Sequence, residues 1–465
     1  MGFIDIIKAM SWYSAAKLAI LFASIASVAI FTRLLTPDEF GQVAIYVSWV
    51  AILTPVLGMG LSLSIPRSQV EFPHSLSSYG LTLLTFSGTF FLVVLLAIFV
   101  LNIDVSEIVG IRPDLVLLLS LHIVSSMIGS IYVATMQYNM SYKRVSVIAL
   151  LKTVTGLMLA YYFVVWLMDD PILGRLWGMI VAELMVALYA VIDLSRESRA
   201  VIEWRYLAFG LTYSAPFILG SVSATINNQF DRVMLANMVS NSEAAIYSLG
   251  TTLGILSFTL WVALRQAIIP WLYRAYSAER FSDIRHLYAF LGWSALFGTI
   301  GGMLIAKEAI HVLSEKEYWE ASTVVIFILC CSYIQILTLN ETETQMYRKK
   351  TLANSVIIIV GAIANISFNY IYIPEYGYNA ALCSTLISCL LMHMLFYYYN
   401  LHCTGDVLTT PHGYSIKIII AITSAFAVNL LSDHTAVRYG MLLLLVITAC
   451  VYIWRNIGGV RRILQ

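Results

Sequence analysis

Charge is scarce in this sequence. Of 465 residues only 11% are Asp, Glu, Lys or Arg, while 60% are hydrophobic and the mean hydropathy is +0.83. A water-soluble chain needs far more charge to cover its surface, so lipid is the solvent for most of this one. The net charge of +1 offers no basic face to nucleic acid. Cysteine gives no disulfide framework: Cys330, Cys331, Cys383, Cys389 and Cys450 fall in apolar runs, Cys403 lies in a short loop, and none has zinc-ligand neighbours. There is no Gly-x-x-x-x-Gly-Lys-Ser/Thr loop and no soluble stretch long enough for a nucleotide domain, which argues against an ATP-driven pump. The longest connections, about 271–285 and 401–414, hold no His/carboxylate cluster and no Asp-x-Asp pair, so a membrane enzyme such as a glycan polymerase lacks a site. No metal or cofactor is expected.

What is present is a succession of apolar runs, each long enough to cross a bilayer core of about 30 Å. They lie near 12–35, 41–65, 78–102, 115–137, 145–167, 172–194, 207–237, 243–270, 286–306, 320–342, 351–373, 379–400, 415–431 and 438–455. The first is too long for a cleaved signal and reads as a signal-anchor. The pattern predicts an all-α polytopic membrane protein of about fourteen transmembrane helices. Assigning alternate loops to opposite sides separates the cations. Lys8, Arg67, Lys143-Arg144, Arg196, Arg199, Arg205, Arg274, Arg280, Arg285, Arg348-Lys349-Lys350, Arg455 and Arg461-Arg462 share one side. Only Arg33, Arg112, Lys307, Lys316 and Arg438 fall on the other. The positive-inside rule then places both termini in the cytoplasm.

The chain also repeats itself. Thr36-Pro37-Asp38-Glu39 matches Ser240-Asn241-Ser242-Glu243, Pro66 matches Pro270, Tyr142-Lys143-Arg144 matches Tyr347-Arg348-Lys349, and Pro171-x-x-Gly174 matches Pro374-x-x-Gly377. Two six-helix lobes, 1–200 and 201–405, follow from this, with 406–465 as two appended helices. An even number of spans per repeat implies a pseudo-twofold axis along the membrane normal. In both Thr36-x-x-Glu39 and Ser240-x-x-Glu243 the hydroxyl can cap a helix while Glu reaches back, a structural use rather than a substrate contact. The Pro-x-x-Gly pairs read as turns re-entering the membrane.

The succession Arg33-Leu34-Leu35-Thr36-Pro37-Asp38-Glu39-Phe40-Gly41, then Asp231-Arg232 with Ser242-Glu243-Ala244-Ala245-Ile246-Tyr247, then Pro374-Glu375-Tyr376-Gly377-Tyr378-Asn379-Ala380-Ala381, resembles the polysaccharide-export family. These are the Wzx-like O-antigen, capsule and exopolysaccharide flippases, in the superfamily that includes MATE extruders and lipid II flippases. The resemblance spans about residues 1–400. It implies a two-lobed MATE-like fold, alternating access, and undecaprenyl-pyrophosphate-linked oligosaccharide as cargo in the bacterial inner membrane. It also implies membrane lipid and a polysaccharide polymerase or other assembly proteins as partners of a monomeric carrier.

Ionisable residues within the spans are the candidate site. Each costs roughly 2.5–3.5 kcal/mol near a helix centre, which disfavours a lipid-facing position. Lys17, Lys152, Arg232 and Arg265 are the cations, and Thr225 and Gln229 extend a polar stripe on span seven that runs from Ser214 through Ser221 to Arg232. Ser14 and Ser24 flank Lys17 on span one; Thr252, Thr259 and Gln266 accompany Arg265 on span eight. These cations suit a pyrophosphate; snorkelling to the interface is the competing reading for Lys17, Lys152 and Arg265. Lys417 is assigned to snorkelling, and Glu341 and Glu343 to solvation at the end of span ten. Glu183 and Asp231 are candidates for ion coupling. A MATE-type cation or drug extruder is the closer rival function, but span one carries a lysine rather than an acid.

Overall fold

The computed structural model describes residues 3–73, 75–139, 141–197, 202–266, 268–348, 350–404 and 411–464. Arg199 and Lys349 lie outside the described residues, as do the side chains of Ser14 and Gln266. Among the described residues every regular element is helical. The long helices are α1 (Phe3–Leu34), α2 (Pro37–Leu57), α3 (Leu76–Val100), α4 (Pro113–Tyr138), α5 (Tyr142–Tyr162), α6 (Pro171–Glu197) and α7 (Trp204–Met238). Then come α8 (Asn241–Gln266), α9 (Phe281–Leu313), α10 (Ala321–Tyr347), α11 (Thr351–Tyr376), α12 (Tyr378–Tyr399), α13 (Pro411–Leu430) and α14 (Thr435–Leu464).

Thirteen of these contain a segment long and apolar enough to span a membrane. The fourteenth, α7, is two segments, Trp204–Ala215 and Phe217–Met238, bent by 55°. The bend falls at Pro216, whose missing N–H interrupts the helical ladder. The expected fourteen spans therefore each have a helix, including the short run at 415–431.

Local chemistry accounts for many ends. Thr36 caps α2 in a complete capping box: its Oγ1 accepts the Glu39 amide at 3.4 Å and Glu39 Oε2 accepts the Thr36 amide at 2.8 Å. Pro37 occupies the first turn, where no N–H is needed. Ser240 Oγ likewise accepts the Glu243 amide at 3.2 Å. Asp170 caps α6 through the Ile172 and Leu173 amides and holds Arg112 at 2.7 Å. Burial works against the Asp170 charge, yet Arg112 and the two amides outweigh it and hold the carboxyl below its ordinary range.

Of the two expected Pro-x-x-Gly turns, one is absent. Pro171 is the first residue of α6 and Gly174 lies inside it. A β-carbon on Gly174 would meet the Val164 backbone nitrogen at 2.9 Å, so this glycine serves helix contact rather than a turn. Its counterpart Gly377, at φ +54°, does make the turn between α11 and α12. Pro66 and Pro270, the matched prolines of the two repeats, each open a short helix, Ile65–Glu71 and Ile269–Ser277.

By compactness the chain divides into two units, Met1–Ala245 and Ile246–Gln465. This partition differs from the repeat-based segments 1–200, 201–405 and 406–465, because α7 packs on α2, α3 and the turn at Leu61–Ser64. The first unit is cored by residues such as Phe31, Tyr46, Leu118 and Leu176, with a second cluster around Leu61, Tyr79 and Tyr132. In the second unit Gly250 and Gly254 of α8 sit against Val324 and Ile328 of α10, small residues letting helices approach where lipid offers no hydrophobic gain.

Candidate functional site

In the first unit the polar stripe of α7 meets α2. Gln229 Oε1 accepts a hydrogen bond from Arg232 Nη1 at 2.7 Å and one from buried Ser48 Oγ at 3.4 Å. The Phe230 and Trp49 rings meet edge to face with centroids 6.3 Å apart, and Trp49 Nε1 donates to the Val109 carbonyl at 2.8 Å. Beyond it, Asn241 Nδ2 donates to Asp38 at 2.9 Å, and Gly41 lets the α2 backbone touch the Asn241 carbonyl. Thr225 Oγ1 donates back to the Ser221 carbonyl at 3.0 Å, while Ser214, at the other end of the stripe, is buried. Asp231 is buried and Arg232 half-buried, so these neighbours on one helix face different surroundings.

Lys17 is half-buried on α1. Lys152 of α5 reaches Glu183 of α6 at 2.9 Å. Glu183 lies over Gly129 of α4, where a β-carbon would stand 3.1 Å from its Oε1. On α4, His122 is buried beside Tyr46, with ring centroids 5.8 Å apart. Lys152 and Glu183, assigned separately to substrate and ion coupling, are thus one pair.

In the second unit Arg265 is buried. Its Nη1 donates to Asn340 Oδ1 at 2.6 Å and Nη2 to the Leu339 carbonyl at 2.9 Å, with Glu343 Oε1 3.9 Å from Nε. The guanidinium lies over the Tyr288 ring at 5.5 Å. Neighbouring Glu341 accepts a 2.6 Å hydrogen bond from Asn400, in the π-helical turn Asn400–Thr404 that ends α12. Asn340 in turn donates to Tyr414 at 3.3 Å. On the adjoining short helix, Tyr276 bonds Thr344 at 2.8 Å, and burial pushes its phenol up to about 12.

Two expectations are corrected by this network. Glu341 and Glu343 are not simply solvated; Glu341 is 4% exposed and both have partners from other helices. Lys417 does not snorkel. It is 5% exposed and its ammonium lies 5.6 Å from the Trp293 ring, a cation–π contact inside the unit.

Residues 6–276 match the family model described as polysaccharide biosynthesis protein. The chain belongs to this family. A curated relative, Lsg locus putative protein 1 of Haemophilus influenzae, is 22% identical over 241 residues, 48% of this chain; the chain spans 60% of that relative's length. Among solved structures, the lipid II flippase MurJ in an inward closed conformation superposes at TM-score 0.70 with 12% identity, covering 95% of this chain and 99% of that one. An inward-facing multidrug resistance MATE transporter of the MOP superfamily gives 0.61 with 12% identity, covering 85% and 94%. A MOP superfamily transporter from Pyrococcus furiosus gives 0.59 with 13% identity, covering 87% and 97%. At these identities the likeness establishes the shared MATE-like helical fold. This member of the polysaccharide biosynthesis protein family is a multi-pass membrane protein.

One membrane-embedded cation of this family member escaped the sequence reading. Arg175, one turn into α6, donates from Nη2 to Ser27 Oγ of α1 at 2.7 Å and lies 3.6 Å from the Phe31 ring. A lone arginine in Leu173-Gly174-Arg175-Leu176-Trp177 was the available signal. His393 of α12, buried and hydrogen-bonded to Thr338 at 3.1 Å, is a buried polar side chain to which the sequence reading gave no place.

Proposed function

We propose that this protein carries undecaprenyl-pyrophosphate-linked oligosaccharide, a unit of O-antigen, capsule or exopolysaccharide, from the cytoplasmic to the periplasmic leaflet of the bacterial inner membrane. The observation that carries the reading is the family match over residues 6–276 in a chain built from membrane-spanning helices. Both termini are cytoplasmic in this proposal, the carrier acts as a monomer, and a polysaccharide polymerase or other assembly protein receives its product.

The pyrophosphate is met by cations. Lys17 and Arg232, with Gln229 and Thr225 as hydrogen-bonding company, are the substrate contacts of the first unit. Lys152 and Arg265 face carboxylates, at 2.9 Å from Glu183 and 3.9 Å from Glu343. In the proposed cycle they exchange carboxylate oxygen for phosphate oxygen, so loading loosens α5 from α6 and α8 from α10. Arginine's planar fork suits two phosphate oxygens, and lysine supplies a point charge. The carboxylate left by Lys152, Glu183, then takes the coupling cation or proton, with Asp231 as the second candidate.

Proteoliposomes containing the full chain test this directly. Fluorescent isoprenyl-pyrophosphate-glycan should become accessible on the far leaflet, and Arg265→Gln should slow that more than Arg265→Lys. Extrusion of ethidium with no glycan movement would replace this reading by cation export.

A further inference from the structure

Helices α5 and α6 run antiparallel, and their contact changes character halfway along. Toward the Pro171 end the backbones touch: a β-carbon on Gly178 would lie 2.2 Å from the Ala160 nitrogen, and one on Gly156 would lie 3.3 Å from the Ala182 β-carbon. Toward Arg144 the small residues give way to Leu151, Lys152, Met185 and Tyr189, and a groove of about 340 Å³ opens between the helices. Leu151, Met185 and Tyr189 are exposed, so the groove faces outward from the unit. The Gly156–Ala182 contact closes its inner end, confining it to one leaflet.

The mouth of the groove is organised around a fixed cation. Tyr132, fully buried, donates its hydroxyl to Asp193 Oδ2 at 2.8 Å, and the same oxygen receives Arg144 Nη1 at 2.8 Å. That chain holds the guanidinium at the groove's end while 40% of the side chain stays exposed. Lys143 beside it and Arg196, one turn past Asp193, are exposed as well. Lys152, eight residues deeper or about 12 Å at 1.5 Å per residue, is neutralised by Glu183, so its stem extends the apolar wall.

We propose that this groove binds an acidic phospholipid of the leaflet facing Arg144, with the phosphate on the Arg144 guanidinium and an acyl chain along Leu151 and Met185. A basic pocket between transmembrane helices at head-group depth is a setting in which anionic lipid binds. A planar guanidinium retains phosphate-binding geometry while one nitrogen is engaged by a carboxylate. The volume lies at the low end of ligand pockets, suited to one stretch of acyl chain and too small for an oligosaccharide. Which leaflet this is rests on the orientation proposed above; the groove and its cation do not.

The test is photo-cross-linking of the full-length protein in nanodiscs, with phosphatidylglycerol carrying a diazirine on its acyl chain. Labelling should fall on peptides covering 147–155 and 182–189, and exceed that from phosphatidylcholine of the same chain at least fivefold. Arg144→Gln should abolish the preference. Leu151→Trp, a change at an exposed position that fills the groove and leaves every charge in place, should cut labelling at least fivefold while folding normally. Inorganic phosphate at millimolar concentration should not compete. Equal labelling by the two lipids, undiminished labelling of Leu151→Trp, or full competition by phosphate would each overturn the proposal. Glycan transport is not the readout, so these results and those on the cargo are separable.

Discussion

Replacing Gly41 by alanine sets two physical effects against each other. In a free helix the change is favourable by about 1 kcal/mol, because alanine loses less backbone entropy. Here the new β-carbon would lie 2.0 Å from the Asn241 carbonyl oxygen and 2.6 Å from its carbon. Ordinary contact begins near 3.4 Å, so the start of α2 must retreat from the start of α8 by about 1.4 Å. The Asn241–Asp38 hydrogen bond, now 2.9 Å, then passes out of range. A hydrogen bond to a charged acceptor contributes about 1.5–3 kcal/mol. Set against the helix gain, the net is a destabilisation of roughly 0.5–2 kcal/mol, read as a lower thermal midpoint of the purified protein in detergent. Because the clash is with backbone, Asn241→Ala should not rescue Gly41→Ala. A Gly41→Ala midpoint at or above the wild type would refute the contact and leave only helix propensity.

Other perturbations have equally definite outcomes. Thr36→Ala removes the hydroxyl of the α2 capping box and should cost roughly 0.5–2 kcal/mol of stability without altering cargo preference, checked by thermal unfolding beside glycan display. For the Lys152–Glu183 pair, Lys152→Met should destabilise more than Lys152→Met with Glu183→Gln, since the double change leaves no unpaired carboxylate; a cycle with no coupling would contradict the 2.9 Å contact. The Asp170 carboxyl, held below its ordinary range, contributes stability that is present above the unfolded value of about 3.9 and is lost as pH falls through the lower folded value. Asp170→Asn should therefore flatten the stability profile below about pH 4 and leave its slope near neutrality unchanged. Reporter fusions at Arg280 and Arg462 should read cytoplasmic and those at Asp104 and Glu315 periplasmic; a periplasmic reading at Arg462 would remove one span.

The sequence was most legible where every partner lay within a few residues. The Thr36 box needs only Glu39, and the apolar runs need only themselves, so caps and spans could be read directly. It was least legible where the partner is distant in the chain. Arg265 finds Asn340 seventy-five positions away, and Glu341 finds Asn400 fifty-nine away, choices that packing makes and composition does not. Lys417 looked like an interfacial lysine because it opens a span, but α13 packs on α9 and brings it to Trp293. The same limit applies to Lys152 and Glu183: each stood out as a membrane charge, and nothing local marked them as mates.

A partner far along the chain also sets a schedule for biogenesis. Arg438, 2% exposed, grips both Glu308 oxygens at 2.8 and 2.6 Å and the Leu304 carbonyl at 2.7 Å, while Lys307 reaches Asp433 at 2.6 Å. Glu308 precedes Arg438 by 130 residues. At about 5–20 residues per second, the ribosome delivers α14 roughly 6–26 s after α9 has emerged. Through that interval α9 waits in the translocon or the bilayer with a carboxylate whose cation does not yet exist. Until α14 inserts, Glu308 therefore lacks its Arg438 clamp, and α9 takes up its final packing only once that helix has arrived.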